Sequence, residues 1–305
     1  MPSTVERLTK KGLIRPPYFV ESNTMYETVM GSVCYGVSTD VSDFDTLGFC
    51  LPPKEMLFPH LSGQITGFGK QTKRFEVYQQ HHVFDKDAMG GAGRTYDLNV
   101  YSIVKYFQLC MENNPNMVDS LFTPQECVLH CTKIGNMVRD KRKMFLHKGS
   151  WHKYKGYAYN QLHKMDSKDP EPDSKRAALR EQFGFDVKFA YHVVRLLDEA
   201  EQILLFSDID LRRNAAQLKA IRRGELSKEE IVRMASEKEK YLERVYEEST
   251  LRYSPDEKAI RTLLLECLEE HYGSLDTCVL NPDAAVVALR EISEVIEKNR
   301  RLLAA

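Results

Sequence analysis

The distribution of hydrophobic residues divides the chain into a first half of short mixed segments and a second half with helical spacing. Runs rich in β-branched and aromatic residues, bounded by proline and glycine, are typical of strands. They predict strands at residues 18–20, 44–50 and 74–84, with a strand end at 94–97. Helical spacing predicts helices at residues 1–13, 100–107 and 117–122, and another that begins at 29–33. The first half is therefore predicted to have an α+β fold.

From residue 175 onward the pattern is almost entirely helical, and the segment 184–206 shows it most clearly. Its buried side is predicted to consist of Phe185, Phe189, Val193, Leu196, Leu197, Ala200, Ile203 and Leu204. Polar residues at spacings of four, three and four share a second face, and they are Lys188, His192, Arg195 and Glu199. That face fits either a cationic grip on a triphosphate or RNA backbone, or a solvated surface with an Arg195–Glu199 ion pair.

Length and composition limit the possible classes of protein. A chain of 305 residues suits two domains, and Gly149-Ser150 predicts a boundary between residues 1–149 and 150–305. The net charge of −1 means that any nucleic-acid binding must use a local patch. The sequence offers no apolar leader, no run able to cross a membrane and no disulfide framework among its seven cysteines, so a cytoplasmic protein is predicted.

Residues 139–159 combine cations with aromatic rings. The cations are Arg139, Lys141, Arg142, Lys143, Lys148, Lys153 and Lys155, and the rings belong to Phe145, Trp151, Tyr154, Tyr157 and Tyr159. Cations that contact phosphates and rings that stack on unpaired bases are what single-stranded RNA requires. The segment therefore predicts an RNA interface, although a solvated helix with its rings in the core fits the same pattern.

The stretch 30–49 carries the strongest chemical pattern. Gly31 permits close approach of a backbone to a phosphate, and Ser32 offers an N–H and a hydroxyl. Asp43 and Asp45 follow, and residues at i and i+2 of a strand point to the same face. Two carboxylates that close need a cation between them, and an oxygen site with few protein ligands suits Mg²⁺ with a bound polyphosphate. The order predicts phosphoryl or nucleotidyl transfer.

Other interpretations of these residues are weaker. Residues 38–42 are good turn formers, so a plain polar turn before a strand is the simplest alternative. Asp43-Phe44-Asp45-Thr46 also matches the nucleophile motif of haloacid-dehalogenase-type phosphatases. That motif needs a hydrophobic strand before the first aspartate, whereas the residues before Asp43 are polar. Two further sites, a P-loop at residues 88–95 and zinc at residues 127–131, lack the required residues.

At these residues the chain resembles the nucleotidyltransferase superfamily with the DNA polymerase β type of palm. The motif there is Gly-Ser, a short gap and Asp-x-Asp, which appear here as Gly31-Ser32 and Asp43-Phe44-Asp45. More narrowly, the chain is similar to predicted nucleotidyltransferases associated with RNA ligases in RNA-repair gene clusters. That second resemblance also rests on Gly184-Phe185-Asp186, Lys188, His192 and Arg195 and on Ile221, Arg222, Gly224, Ser227, Glu229 and Glu230. It extends over about residues 25–235.

The resemblance implies a polymerase-β-type palm, a small mixed sheet with flanking helices, followed by an all-helical C-terminal domain. It implies a third carboxylate, Asp97, with Glu76 in reserve, although Asp97 could instead cap the following helix. Mg²⁺ or Mn²⁺ would be held by Asp43, Asp45 and Asp97, and an NTP by Gly31, Ser32, Lys188, His192 and Arg195.

The expected reaction is transfer of an NMP from an NTP to an acceptor hydroxyl, with an RNA 3′ end such as that of tRNA as the favoured acceptor. An RNA ligase is an expected partner. A non-catalytic RNA-binding partner of that ligase, or AMP transfer to a protein, remains open because one core serves many acceptors.

Overall fold

The computed structural model describes residues 2–38, 44–69, 71, 73–167, 175–273, 289, 292, 295 and 296. Asp43 lies outside the described residues, as does most of the predicted polar loop 166–174 and of a closing helix expected at 284–303. The chain divides into two compact units, one formed by residues 1–51 with 76–264 and the other by 52–75 with 265–305. Neither division falls at residue 149, so the two-domain boundary there stays a prediction.

The strands lie in the first unit and form one mixed sheet. They are β1 (Thr24–Val29), β2 (Phe44–Cys50), β3 (Val77–Asp85), β4 (Arg94–Ser102) and β5 (Val128–Cys131). Their spatial order is β3-β4-β2-β1-β5. β2 and β4 are parallel, whereas the other neighbouring pairs are antiparallel. The predicted strand at 44–50 is confirmed, and the one at 74–84 is confirmed with a later start.

The described residues also form α-helices, which with short 3₁₀ turns make up the regular structure after residue 131. In chain order they are α1 (Thr4–Lys10), α2 (Tyr18–Ser22), α3 (Lys54–Leu57), α4 (Ile103–Met111), α5 (Pro115–Phe122), α6 (Lys133–Asp140), α7 (Ser150–Ser167), α8 (Lys175–Phe183), α9 (Val187–Phe206), α10 (Ala215–Arg222), α11 (Lys228–Glu248) and α12 (Glu257–Tyr272). Short 3₁₀ turns cover Pro59–Ser62, Ala88–Gly91, Gln125–Cys127 and Arg142–Phe145. No described helix is long and apolar enough to span a bilayer.

Helices cover only one end of the sheet face that carries Asp45. Residues 45, 47 and 49 of β2 face the same side because strand side chains alternate. The ring of Phe49 packs on Tyr106 of α4, with 4.9 Å between ring centroids. Tyr26 of β1 donates from its hydroxyl to the Ser120 carbonyl of α5 over 2.6 Å. Helices α4 and α5 therefore cover the Phe49 end of this face, whereas Asp45, at the other end, lines a cavity.

Helix α9 follows its hydrophobic pattern closely. All eight residues predicted for its buried side, from Phe185 to Leu204, are buried. Asp186 caps the helix by accepting the backbone N–H groups of Lys188 and Phe189. These features follow from local sequence alone.

Three local predictions were wrong. Residues 18–20 belong to helix α2, because Pro17 sets a helix start and one turn buries both Phe19 and Val20. The helix predicted from residue 100 begins only at Ile103, because the strand expected to end at 94–97 continues to Ser102, which caps α4. The helix predicted from residue 29 does not form, because residues 31–36 make turns.

Candidate active site

The parallel pairing of β2 and β4 brings two predicted acids together. Asp45 and Asp97 are directly opposite each other in the ladder. Neighbouring strands lie about 4.8 Å apart, and opposed residues of a pair point to the same face. Both side chains line a cavity of about 1090 Å³. The two carboxylates therefore share one polar site, although they are 52 residues apart in sequence.

A β-bulge in β3 holds Asp97 in place. The register between β3 and β4 shifts between Gln80 and Val83, and His82 adopts a positive φ of 57°. The backbone N–H of His82 donates to Asp97 Oδ1 over 2.7 Å. The Nδ1 atom of His81, which also lines the cavity, lies 3.7 Å from the same oxygen. Bulges often aim side chains at functional sites, but nothing in the sequence marked this one.

The glycine-serine turn lies against the other acid. Gly31 has a φ of +67°, and a Cβ added there would lie 2.6 Å from Asp45 Oδ2. The backbone N–H of Met30 also donates to the Asp45 carbonyl over 2.8 Å. Only glycine combines this backbone conformation with so close an approach. Gly31 and Ser32 therefore lie at the same cavity as the acids, as their motif predicted.

Helices α9 and α10 supply basic side chains to this cavity. Lys188 and His192 line it, as do Lys219, Arg222 and Arg223. Among the residues that the structure describes, the ammonium groups of Lys188 and Lys219 make no hydrogen bond or ion pair. Cations beside carboxylates in one cleft suit a ligand that carries phosphates and metal ions. Lys219 and Arg223 were missed, because only the three-dimensional packing of α10 brings its basic C-terminal turn to the cavity.

Arg195 does not join Lys188 and His192 at the cavity wall. It is 4 % exposed, and its guanidinium bonds to Asp119 and to Glu199, 2.8 Å away in the latter case. A buried guanidinium requires such counterions. Arg195 thus forms the Arg195–Glu199 pair of the alternative interpretation, but in the core and not on a solvated surface. Burial raises the pKa of both the Asp119 and the Glu199 carboxyl groups above their usual ranges.

The alternatives for Asp97 are less consistent with the geometry. Glu76 lies at the opposite end of β4, where its carbonyl accepts the N–H of Ser102 over 2.8 Å. Its carboxylate lies 3.5 Å from Lys105 Nζ. The cap of α4 is Ser102, whose hydroxyl accepts the N–H of Lys105. Asp97 is thus neither a helix cap nor interchangeable with Glu76.

The basic and aromatic segment 139–159 is mostly engaged within the fold. Phe145, Trp151 and Tyr154 are fully buried. The Lys155 ammonium lies 2.8 Å from Glu239 and 2.5 Å from Glu243. Further contacts engage Arg139, Arg142, Lys143, Lys148 and Tyr159. The expected stacking surface for RNA bases needs correction, because these three rings build the core instead.

The acids fit the chemistry of a hard divalent cation. Asp45 and Asp97 offer carboxylate oxygens from adjacent strands, the donor type that Mg²⁺ and Mn²⁺ accept. The described residues contain no cluster of three or more His, Cys, Asp or Glu placed to hold a metal. The remaining predicted metal ligand, Asp43 of the Asp-x-Asp motif, lies outside those residues.

The mixed sheet with an aspartate pair beside a glycine-serine turn is consistent with the class of polymerase-β-like nucleotidyltransferase folds. A family model described as RlaP, the RNA repair pathway DNA polymerase beta family, matches residues 17–266. The chain belongs to this family. The resemblance drawn from the motifs is thereby confirmed, and the family indicates a nucleotidyltransferase role in RNA repair. No curated protein matches the chain significantly.

Proposed function

We propose that this protein is a metal-dependent nucleotidyltransferase that moves an NMP from an NTP to an acceptor hydroxyl. The observation that carries the proposal is the pairing of Asp45 with Asp97 beside Gly31 in one large cavity. Adjacent acids for divalent cations and a backbone turn for phosphates are the parts that phosphoryl transfer requires.

Each group in the cavity has a role in that reaction. Asp45 and Asp97, with Asp43, would hold Mg²⁺ or Mn²⁺, which supplies charge neutralisation and activation of the acceptor hydroxyl. The turn at Gly31 and Ser32 seats the β- and γ-phosphates. Cations along α9 and α10, with Lys188 foremost, would neutralise the triphosphate and the departing pyrophosphate.

The chemical step follows from this placement. The acceptor oxygen attacks the α-phosphorus and loses its proton, while the bond from that phosphorus to the pyrophosphate oxygen breaks. The protein's contribution is to hold the acceptor oxygen, the α-phosphorus and the leaving pyrophosphate oxygen in line, and to stabilise the charge that develops on the phosphates.

An RNA 3′ end is the acceptor that family membership favours. The family description places the chain in an RNA repair pathway. The RNA ligase that we propose as a partner would act on the same ends. The acceptor proposal rests on this description alone, because three of the five rings in segment 139–159 that were expected to bind RNA lie in the core, namely those of Phe145, Trp151 and Tyr154.

Labelled-nucleotide transfer tests the proposal. The protein is incubated with Mg²⁺ and each α-labelled NTP, and an acceptor panel contains RNA 3′ ends, a tRNA, proteins and small alcohols. Wild type is expected to label RNA, whereas Asp45→Asn and Asp97→Asn are expected to lose more than about 100-fold of the rate. Glu76→Gln is the matched control and should retain activity, since Glu76 lies at the other end of β4.

Other outcomes of the assay identify other functions. Labelling of protein alone would point to AMP transfer to a side chain. Absence of labelling on every acceptor, with RNA still bound, would favour a non-catalytic partner of a ligase. An acid-trapped aspartyl-phosphate at Asp43 would overturn the transferase in favour of a phosphatase.

A further inference from the structure

Two arginines from beyond residue 200 bind the backbone of the turn that contains Gly31 and Ser32. Arg212, in the connection between α9 and α10, donates from Nε to the Cys34 carbonyl over 3.3 Å. A second nitrogen of the same guanidinium donates to the Val33 carbonyl over 3.5 Å. Arg222, in the last turn of α10, donates to the Val37 carbonyl over 2.5 Å. The turn is therefore held by its carbonyl groups from outside.

The Arg212 side chain is itself fixed in place. Glu126 accepts from its third nitrogen over 2.5 Å. Gly36 lies against its alkyl chain, since a Cβ added at Gly36 would be 3.5 Å from Arg212 Cδ. A planar guanidinium with several partners loses less freedom per hydrogen bond than a flexible ammonium. Arg212 therefore contacts the turn and Glu126 at the same time, which restricts the orientation of its guanidinium.

Internal hydrogen bonds carry this restraint to the start of the turn. The N–H of Tyr35 donates to the Gly31 carbonyl over 3.3 Å, and the N–H of Val37 donates to the Ser32 carbonyl over 2.8 Å. Because each peptide group is planar, fixing a carbonyl also fixes the N–H that follows it. The arginines hold the later residues of the turn, and those residues hold the carbonyl groups of Gly31 and Ser32. The arginines therefore influence how the peptide groups of Gly31 and Ser32 are oriented.

Tyr35 adds a second anchor for the same turn. Its hydroxyl donates to Asp119 Oδ2 over 2.8 Å, and the Arg195 guanidinium lies 4.3 Å from its ring centroid. Arg195 also bonds to Asp119. The buried ion pair of α9 therefore fixes the middle of the turn, while Arg212 and Arg222 fix its carbonyl groups.

We propose that Arg212 is a positioning residue for nucleotide binding, which holds the Gly31–Val37 turn in the conformation that receives phosphates. This inference rests on the proposed function and extends it to a residue outside the cavity lining. Arg212 neither touches the ligand nor holds metal, so its effect passes through the backbone of the turn. Arg222 supports the turn in the same way but also lines the cavity, and it is the less selective probe.

The test compares Arg212→Ala with Arg213→Ala in the full chain. Arg213 is the matched control because it pairs with Asp198 and Glu201 and, within the part of the chain that the structure describes, has no hydrogen bond or ion pair to the turn. Hydrogen exchange of peptides covering residues 31–38 reports the turn directly. KM for ATP and kcat then report how the state of the turn affects nucleotide binding and transfer. We expect Arg212→Ala to speed exchange in that segment and to raise KM about tenfold with kcat little changed.

Chemical rescue separates positioning from general destabilisation. Millimolar guanidinium should lower KM of Arg212→Ala towards the wild-type value, and it should leave Arg213→Ala unaffected. Unchanged exchange in residues 31–38, or an equal KM change in both variants, would overturn the positioning role. Exchange could rise in Arg212→Ala while wild type transfers no nucleotide to any acceptor. That result would support the role of Arg212 in holding the turn and would overturn the proposed transferase function.

Discussion

Gly31 lies so close to Asp45 that any Cβ at position 31 would be 2.6 Å from the Asp45 Oδ2 atom. That separation is well below van der Waals contact, so the turn or the carboxylate of Gly31→Ala must shift. A displacement of about 1 Å at a reacting centre costs on the order of 100-fold in rate. We expect kcat/KM of Gly31→Ala to fall by that amount in the labelled-NTP assay.

Gly12→Ala controls for backbone strain in this experiment. Gly12 has a φ of +71°, similar to Gly31, but a Cβ there meets nothing within 4 Å. Both variants place a side chain in the left-handed region, which costs about 1–2 kcal/mol. Only Gly31→Ala should lose transfer activity. An equal loss in the two variants would show that strain, and not the contact with Asp45, matters at position 31.

The bulge at His82 gives a second prediction. Its N–H reaches Asp97 only because His82 has a positive φ. Asparagine tolerates that conformation, whereas a β-branched residue does so at a high cost. We therefore expect His82→Asn to keep near-wild-type kcat and His82→Val to lose about tenfold, with a higher Mg²⁺ requirement. The measurement is kcat across a Mg²⁺ titration, and similar values in the two variants would rule out the backbone contact as the cause.

Local patterns predicted the parts of the fold that depend on residues close together in the sequence. The buried side of α9 follows from helical spacing. Residues 18–20 were misjudged because three residues can suit either a strand or a single helical turn.

Pairings between distant segments could not be predicted from spacing. The alignment of Asp45 with Asp97 depends on the register of two parallel strands, and the motif resemblance suggested it without fixing the geometry. Arg195 was grouped with Lys188 by face, yet α9 turns that position into the core against Asp119 of α5. Which residues of an amphipathic face reach solvent depends on the packing of neighbouring elements.

Lys188 and Lys219 provide the third prediction. Both line the cavity, and no described group neutralises their ammonium charges. If they contact the phosphates, Lys188→Gln and Lys219→Gln should each weaken ATP binding about 10- to 150-fold, since hydrogen bonds to charged groups contribute about 1.5–3 kcal/mol. Binding of AMP should change little, because it lacks the β- and γ-phosphates. The measurement is equilibrium dialysis. Equal weakening of ATP and AMP binding would show that these lysines do not contact the β- and γ-phosphates.

The buried ion pair gives the last prediction, which concerns stability and pH. Arg195→Gln would leave the carboxyl groups of Asp119 and Glu199 without their cation, and such a loss costs about 3–5 kcal/mol. Arg213→Gln removes partly exposed contacts with Asp198 and Glu201 and should cost less, on the order of 1 kcal/mol. Urea unfolding of both variants at pH 8 checks these values, and similar losses would contradict a special role for the buried pair.

The pH dependence of Arg195→Gln follows from the direction of the carboxyl pKa values. Burial raises the pKa of Asp119 and Glu199 in the folded protein, and loss of the cation raises both further. A carboxyl group whose folded pKa lies above its unfolded pKa stabilises the fold below the unfolded value, and this contribution disappears as pH rises through the folded value. The stability deficit of Arg195→Gln relative to wild type should therefore shrink between pH 8 and pH 5. A deficit that stays constant in urea unfolding across that range would mean that these carboxyl groups do not titrate with the loss of Arg195.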